Sequence, residues 1–188
     1  MTWLVVGLGN PGTQYTLTRH NIGFLAVDYL CEGSKAKSWN SEHKALTCKI
    51  KLGEQALLLA KPQTFMNLSG ESVQSLMQFY KIPLDHLIVL HDDIDQAFGA
   101  MRLHKNRGHG GHNGIRSISQ LLGTADYLRV KLGVGRPVHP EMQVVDYVLQ
   151  KFSADEQQAL PDYLNKAGDA VESLIVDGLQ KAATLYNA

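Results

Sequence analysis

Strand-like and helix-like apolar patterns alternate along this chain, and that alternation limits the available folds more than any single motif does. Residues 3–6 form a short apolar strand, ended by the glycine-rich turn at residues 7–12. Helical spacing follows over 21–31, with Ile22, Leu25, Ala26, Tyr29 and Leu30 on one face. Residues 44–52 and 56–60 read as two strands joined by a tight turn at Gly53-Glu54. A helix over 69–81 carries Val73, Leu76, Met77 and Tyr80 on one side, with Pro83 beyond its end. Residues 86–90 form a buried strand running into acids, and 100–103 a short strand. Asn113 can cap a helix that Gly123 stops, and 127–134 alternate as a strand. Ser153-Ala154-Asp155-Glu156 has the capping-box pattern and opens a long amphipathic C-terminal helix. These elements predict one α/β domain over residues 1–188. Its sheet should be twisted, mixed and mostly parallel, with helices on both faces. A chain of 188 residues, 44% hydrophobic, suffices for one continuous core.

Several classes are excluded. No apolar run approaches the roughly 20 residues that span a bilayer. The N-terminus lacks a basic region and a long enough apolar stretch for a signal peptide. Cys31 and Cys48 lack metal-ligand spacing and read as reduced thiols, so a cytoplasmic setting is expected. Net charge is zero, but its distribution is uneven. Between Asp95 and Asp126 there is no acid, while Arg102, Lys105, Arg107 and Arg116 lie there with His104, His109 and His112. A neutral protein can still offer one basic face to a polyanion.

The loops at the carboxyl ends of such strands are the expected place for a site. Gly7-Leu8-Gly9-Asn10-Pro11-Gly12 matches a dinucleotide fingerprint literally but fits it poorly. Pro11 interrupts it, the helix starts near Asn21, and Asp28, the acid at the right spacing, falls within that helix. A tight turn displaying Asn10 is the better reading. His20 precedes the first helix, and an imidazole titrating near neutrality can take a proton from water. After the strand over 86–90, His91-Asp92-Asp93-Ile94-Asp95 admits three readings: a divalent-metal site, an aspartate that orients a histidine, or an acidic turn. Asn67 lies just before one helix. Gly108-His109-Gly110-Gly111-His112-Asn113-Gly114 precedes another, where backbone amides can approach a ligand. There is no G-x-S-x-G, and neither cysteine has a catalytic setting. Attack by water, without a covalent acyl-enzyme, suits a histidine, an aspartate and loop asparagines.

Taken together, these segments resemble the bacterial peptidyl-tRNA hydrolase family. The matching blocks are residues 6–12, Tyr15 with 18–23, 61–70, 91–95, 110–114 and 133–137, in that order. The resemblance implies a cofactor-free, metal-free, usually monomeric esterase with a twisted mixed sheet. It would cleave between a peptide's C-terminal carboxyl and the ribose of the tRNA 3′-terminal adenosine. His20 matches the catalytic base, and Asp92 the aspartate that orients it. Asn10, Asn67 and Asn113 match substrate-binding amides, and Tyr15, Phe65, Met66 and His112 belong with them in the channel. His104, Lys105, Arg107 and Lys131 fall where the resemblance assigns the clamp on tRNA phosphate. Relatives usually carry Arg or Lys at the position of His104, and many carry Arg at that of Lys131. Two rival readings are a metal-dependent phosphoesterase built on His91, Asp92, Asp93 and Asp95, and a non-catalytic RNA-binding module using only the basic loop.

Overall fold

The computed structural model describes residues 1–36 and 38–187. Seven strands form one mixed sheet: β1 (Trp3–Gly7), β2 (Asn40–Glu42), β3 (Ala45–Leu52), β4 (Gln55–Pro62), β5 (Leu87–Asp93), β6 (Met101–Lys105) and β7 (Leu128–Gly133). Their order is β2-β3-β4-β1-β5-β7-β6. The four central strands, β4, β1, β5 and β7, are parallel neighbours. The flanking strands β2, β3 and β6 run antiparallel. The helices are α1 (Ile22–Glu32), α2 (Ser69–Tyr80), α3 (Asn113–Leu122), α4 (Val144–Val148), α5 (Ala154–Asp177) and α6 (Leu179–Tyr186).

Alternation along the strands divides the apolar side chains between two layers, as a period of two requires. Val5, Leu57, Leu59, Ile88, Leu90 and Val130 face α1 and α5. Leu4, Val6, Leu58, Ala60, Leu87 and Val89 face α2 and α3, packing with Val73, Leu76, Ile115 and Ile118. The sheet is thus covered on both faces, with one exception. On β7, Leu128, Val130 and Leu132 join the first layer, as do Met101 and Leu103 of β6. Their alternates Arg129 and Lys131, paired in register with His104 and Arg102, turn to the α2/α3 side. The packing on that side involves β1, β3, β4 and β5 and does not include β6. That end of the sheet presents a basic surface rather than a core.

The glycines of the first turn serve packing. A Cβ on Gly7 would lie 2.1 Å from the Gly23 carbonyl oxygen, and one on Gly23 would lie 2.5 Å from both Leu8 N and Leu90 O. Helix α1 therefore begins in direct backbone contact with β1 and β5. No helix opens at the turn itself; residues Thr13–Tyr15 form a short 3-10 turn instead. That leaves the glycines without the role a dinucleotide site would give them.

The expected elements are present, with differences at their edges. Helix α3 is capped by His112, not Asn113. Asp92 lies on β5 itself rather than in the loop after it. The C-terminal helix has the Ser153–Glu156 capping box but breaks at Gly178 into α5 and α6. Strand β2 and helix α4 carry no periodic signal long enough to find. Cys31 and Cys48 are buried free thiols. Among the described residues no helix is long and apolar enough to cross a membrane. At the outer edge of the sheet, the Asn187 amide pairs with both backbone groups of Leu103 on β6, at 2.6 and 3.2 Å.

Candidate active site

The site lies at the carboxyl ends of β1 and β5, between the start of α1 and the start of α3. His20 occupies a 3-10 turn, Arg19–Asn21, that leads into α1. Its position is secured from behind. Arg19 N donates to Gln150 O and Phe152 N to Leu17 O, stitching residues 17–19 to the chain before α5. The nearly buried Arg19 guanidinium bonds Tyr147 O and Glu156 Oε1 and stacks over the Tyr147 ring. Glu156 is also the capping-box residue, so one carboxylate starts α5 and anchors the segment that carries His20.

His20 Nδ1 lies 2.8 Å from Asp92 Oδ2. An ionised carboxylate only accepts, so Nδ1 carries the proton and Nε2 is left as the basic nitrogen. Burial disfavours the charged imidazole, but the Asp92 carboxylate outweighs burial and holds His20 above its ordinary value. Asp92 is itself buried, which alone would raise it. Donors on both oxygens overcome that and keep it ionised far below the usual carboxylate range.

The second donor is His112, whose Nε2 lies 2.8 Å from Asp92 Oδ1. Its other nitrogen, Nδ1, accepts from Gly114 N at 3.1 Å and Ile115 N at 3.3 Å, capping α3. Behind it, His91 Nδ1 donates to Asp92 O at 2.7 Å, and Arg129 Nε donates to His91 Nε2 at 3.2 Å. Arg129, 1% exposed, also bonds the Arg107 and Gly108 carbonyls at 2.9 Å each and so tethers the glycine-rich loop. Burial, with the nearby Arg129 charge, holds both His91 and His112 below their ordinary value.

Asn10 is held from three sides. Its backbone N–H and C=O pair with the Asn21 side chain at 2.9 Å each, and its Oδ1 accepts from Met66 N at 2.8 Å. Its acceptor spent, Asn10 keeps both Nδ2 hydrogens unused among the described residues. Asn67 and Asn113 are exposed, with no side-chain hydrogen bond among those residues. Met66 is buried, its sulfur under Gly114 at the base of α3.

A cavity of about 450 Å³ brings His20, Asp92, His112, Asn113 and Lys131 together with Val144, Val145 and Val148 of α4. Asn10 lines a neighbouring recess of about 300 Å³ with Asn21, Phe24 and Lys61. Tyr15, Phe65 and Asn67 line neither, and Phe65 is exposed. Of the expected clamp residues, only Lys131 reaches the cavity wall, 3.5 Å from Asp93 Oδ2. His104 sits on the basic sheet face beside it, where burial and the charges of Lys131, Arg107, Arg129 and Arg102 lower its basicity. Lys105 falls on the opposite face by alternation, and Arg107 is exposed in the following loop. Sequence reasoning placed Arg102 in the basic stretch but not among the clamp residues, and it missed Arg129 beneath this face. The signal was present in Leu128-Arg129-Val130-Lys131-Leu132, where charges alternate with core residues.

The four groups of the metal-dependent phosphoesterase reading border one cavity but do not bring their ligand atoms together, contrary to that expectation. Alternation along β5 sends His91 and Asp93 to one face and Asp92 to the other. His91 bonds Arg129, Asp93 meets Lys131 and Asp95 pairs with Arg136. His20, Asp92 and His112 do gather their ligand atoms within 4.8 Å of one another. Yet both imidazole nitrogens facing Asp92 carry protons, and His112 could bind metal there only by protonating the nitrogen that caps α3. The arrangement suits a general base with an orienting carboxylate, activating water at an electrophilic carbon beside amide donors.

Comparison with known proteins agrees with this chemistry. A family model described as peptidyl-tRNA hydrolase matches residues 4–188. A protein of Bdellovibrio bacteriovorus named peptidyl-tRNA hydrolase is 60% identical over 185 residues, 98% of this chain and 99% of that one. A protein of the same name from Frankia casuarinae is 49% identical over 188 residues, 99% of this chain and 94% of its own. The crystal structure of peptidyl-tRNA hydrolase from Acinetobacter baumannii superposes with a TM-score of 0.91 at 32% identity, covering 100% of this chain and 95% of that one.

Proposed function

Because the chain belongs to the peptidyl-tRNA hydrolase family, we propose that His20 and Asp92 are the base and the orienting carboxylate of its ester hydrolysis. The protein is a carboxylic ester hydrolase that acts on peptidyl-tRNA. His20 Nε2 takes a proton from water, and the resulting hydroxide attacks the carbonyl carbon joining peptide to ribose. Asp92 stabilises the imidazolium that forms. The Asn10 Nδ2 hydrogens donate to a substrate carbonyl, and Asn113, at the start of α3, donates to the developing oxyanion. Collapse breaks the bond to the ribose oxygen, which receives the proton from His20. Asn67, with Met66, Phe65 and Tyr15, completes the surroundings of the peptide end.

The basic face extends this reading to the tRNA. Lys131 and His104, with Arg107 in the adjoining loop, hold backbone phosphate, and Lys105, on the opposite face, does not reach the same phosphate. Arg102 belongs with them, since it faces Lys131 directly across the two strands. The enzyme works as a cytoplasmic monomer of one domain, without metal or cofactor.

The observation that carries the catalytic reading is the 2.8 Å contact between His20 Nδ1 and a buried carboxylate doubly supplied with donors. The test is release of an N-blocked amino acid from tRNA, by the wild type and by His20→Ala, with and without chelator. Removing the base should cost about 10²–10⁴-fold while chelation leaves the wild-type rate unchanged. Activity of His20→Ala within threefold of wild type defeats the base assignment. Loss to chelator, restored by a divalent ion, defeats the metal-free mechanism.

A further inference from the structure

We propose that His112 is a positioning residue, not a substrate contact: it transmits the N-terminus of α3 to the base by fixing the rotamer and hydrogen bonding of Asp92. This rests on the assignment of His20 as base.

The protons on the His112 ring can be counted from its partners. His112 Nδ1 accepts from two backbone N–H groups at the start of α3, Gly114 and Ile115. A nitrogen receiving two donors cannot carry its own hydrogen. The proton of the neutral ring therefore sits on Nε2, which points at Asp92 Oδ1 at 2.8 Å. Both ring nitrogens are thereby spent inside the protein, leaving His112 no polar atom for a ligand.

The consequence reaches His20 through the two oxygens of one carboxylate. With Oδ1 held by His112, Oδ2 is directed at His20 Nδ1. A carboxylate with a single donor could turn about its Cβ–Cγ bond; one pinned at both oxygens cannot. His112 also draws on the negative charge that His20 would otherwise have to itself. The groups facing His112 leave it neutral. Arg129 and His20 oppose a positive ring, Asp92 favours one, and burial opposes it most of all. The His91 ring meets it edge-on at 4.7 Å and is itself neutral, because Arg129 donates to its Nε2.

The cap allows a clean separation of roles. Asparagine is among the best N-cap residues but is too short to bridge the cap and the carboxylate. His112→Asn should keep α3 and lose only the Asp92 contact. The expected result is a melting temperature close to wild type, KM within twofold and kcat lowered roughly tenfold. The acid limb of the kcat/KM profile should move to higher pH, because Asp92, released from His112, holds a proton on His20 more firmly. A rise in KM with an unmoved acid limb would make His112 a substrate contact and overturn the proposal, as would unchanged kinetics. A measurement on the wild type needs no variant to fold: nitrogen-15 NMR of labelled histidine should show the Nε2–H tautomer at position 112. An Nδ1–H or doubly protonated ring at neutral pH would overturn it equally. His20→Ala run in parallel separates the two readings. If that variant stays active the base assignment itself fails, whereas if it is inactive and His112→Asn is kinetically silent only the positioning role fails.

Discussion

Asp92 shows how much chemistry one residue gathers here. It is buried, it stays ionised, and it receives a histidine on each oxygen. Replacing it with Asn keeps the shape but puts an N–H where His20 needs an acceptor. The amide can then force the imidazole proton onto Nε2, the nitrogen that must remain free. Asp92→Asn should slow hydrolysis at least tenfold. It should also move the acid limb of the pH profile downward, since the carboxylate is what holds His20 above its ordinary value. That direction is opposite to the one expected for His112→Asn, so the pair of variants tests the network as well as its parts. A wild-type rate and profile for Asp92→Asn would remove Asp92 from the mechanism. The sequence made His20 and Asp92 legible as residue types in suggestive places. Spacing alone could not show which aspartate of His91-Asp92-Asp93-Ile94-Asp95 turns toward the base, because that depends on strand register; the family resemblance singled out Asp92. Nor could the sequence show that His112 spends both nitrogens internally, since its partners come from another strand and from its own helix.

At the scale of elements, the strands were readable because their apolar residues serve two covered faces. The edges were less so. β2 has three residues and α4 has five, too few for either period to register. The second role of Glu156 was hidden too, since the capping box announces the start of α5 but not the distant Arg19. The pairing of β6 with β7 has the clearest functional reach. It puts Arg102 opposite Lys131 and His104 opposite Arg129, so three basic side chains share one uncovered face while the fourth, Arg129, lies buried beneath the loop at 107–108. Lys131→Ala should raise KM for full-length peptidyl-tRNA and reduce the salt dependence of binding by about one phosphate contact. An N-acylated aminoacyl ester on a short 3′-terminal oligonucleotide lacks the distant phosphates, and its turnover should hardly change. Lys131 also lines the catalytic cavity, which makes the comparison a strict one. An equal loss on both substrates would place Lys131 at the chemistry and remove it from the clamp. His104 should strengthen phosphate binding only in acid, because burial and its basic neighbours hold it below 6.5, its ordinary value.

Across the whole molecule, the same buried groups link stability to pH. His91 and His112 both lie below their ordinary 6.5 when folded. The unfolded chain therefore binds their protons more readily, and their contribution is complete above 6.5 and drains away as pH falls. Asp92, held low, adds a loss of the same sign below about pH 4. His20 works the other way: its raised value favours the fold below 6.5, and that contribution disappears as pH climbs through the folded value. His104 lies below its ordinary value as well, so three lowered histidines oppose the one raised, and the melting temperature should fall between pH 7.5 and pH 5. A higher melting temperature at pH 5 would mean that the His20–Asp92 pair dominates the balance. Asn187 has a different bearing on how the protein behaves in the tube. Its side-chain amide occupies the outward N–H and C=O of Leu103, in the way a neighbouring strand would. Cleavage between Tyr186 and Asn187 would leave that pair vacant on an edge strand, ready to recruit the same edge of another molecule. Nicked preparations should keep their catalytic groups yet cloud on standing, so turbidity would report damage to the tail before any assay of turnover did.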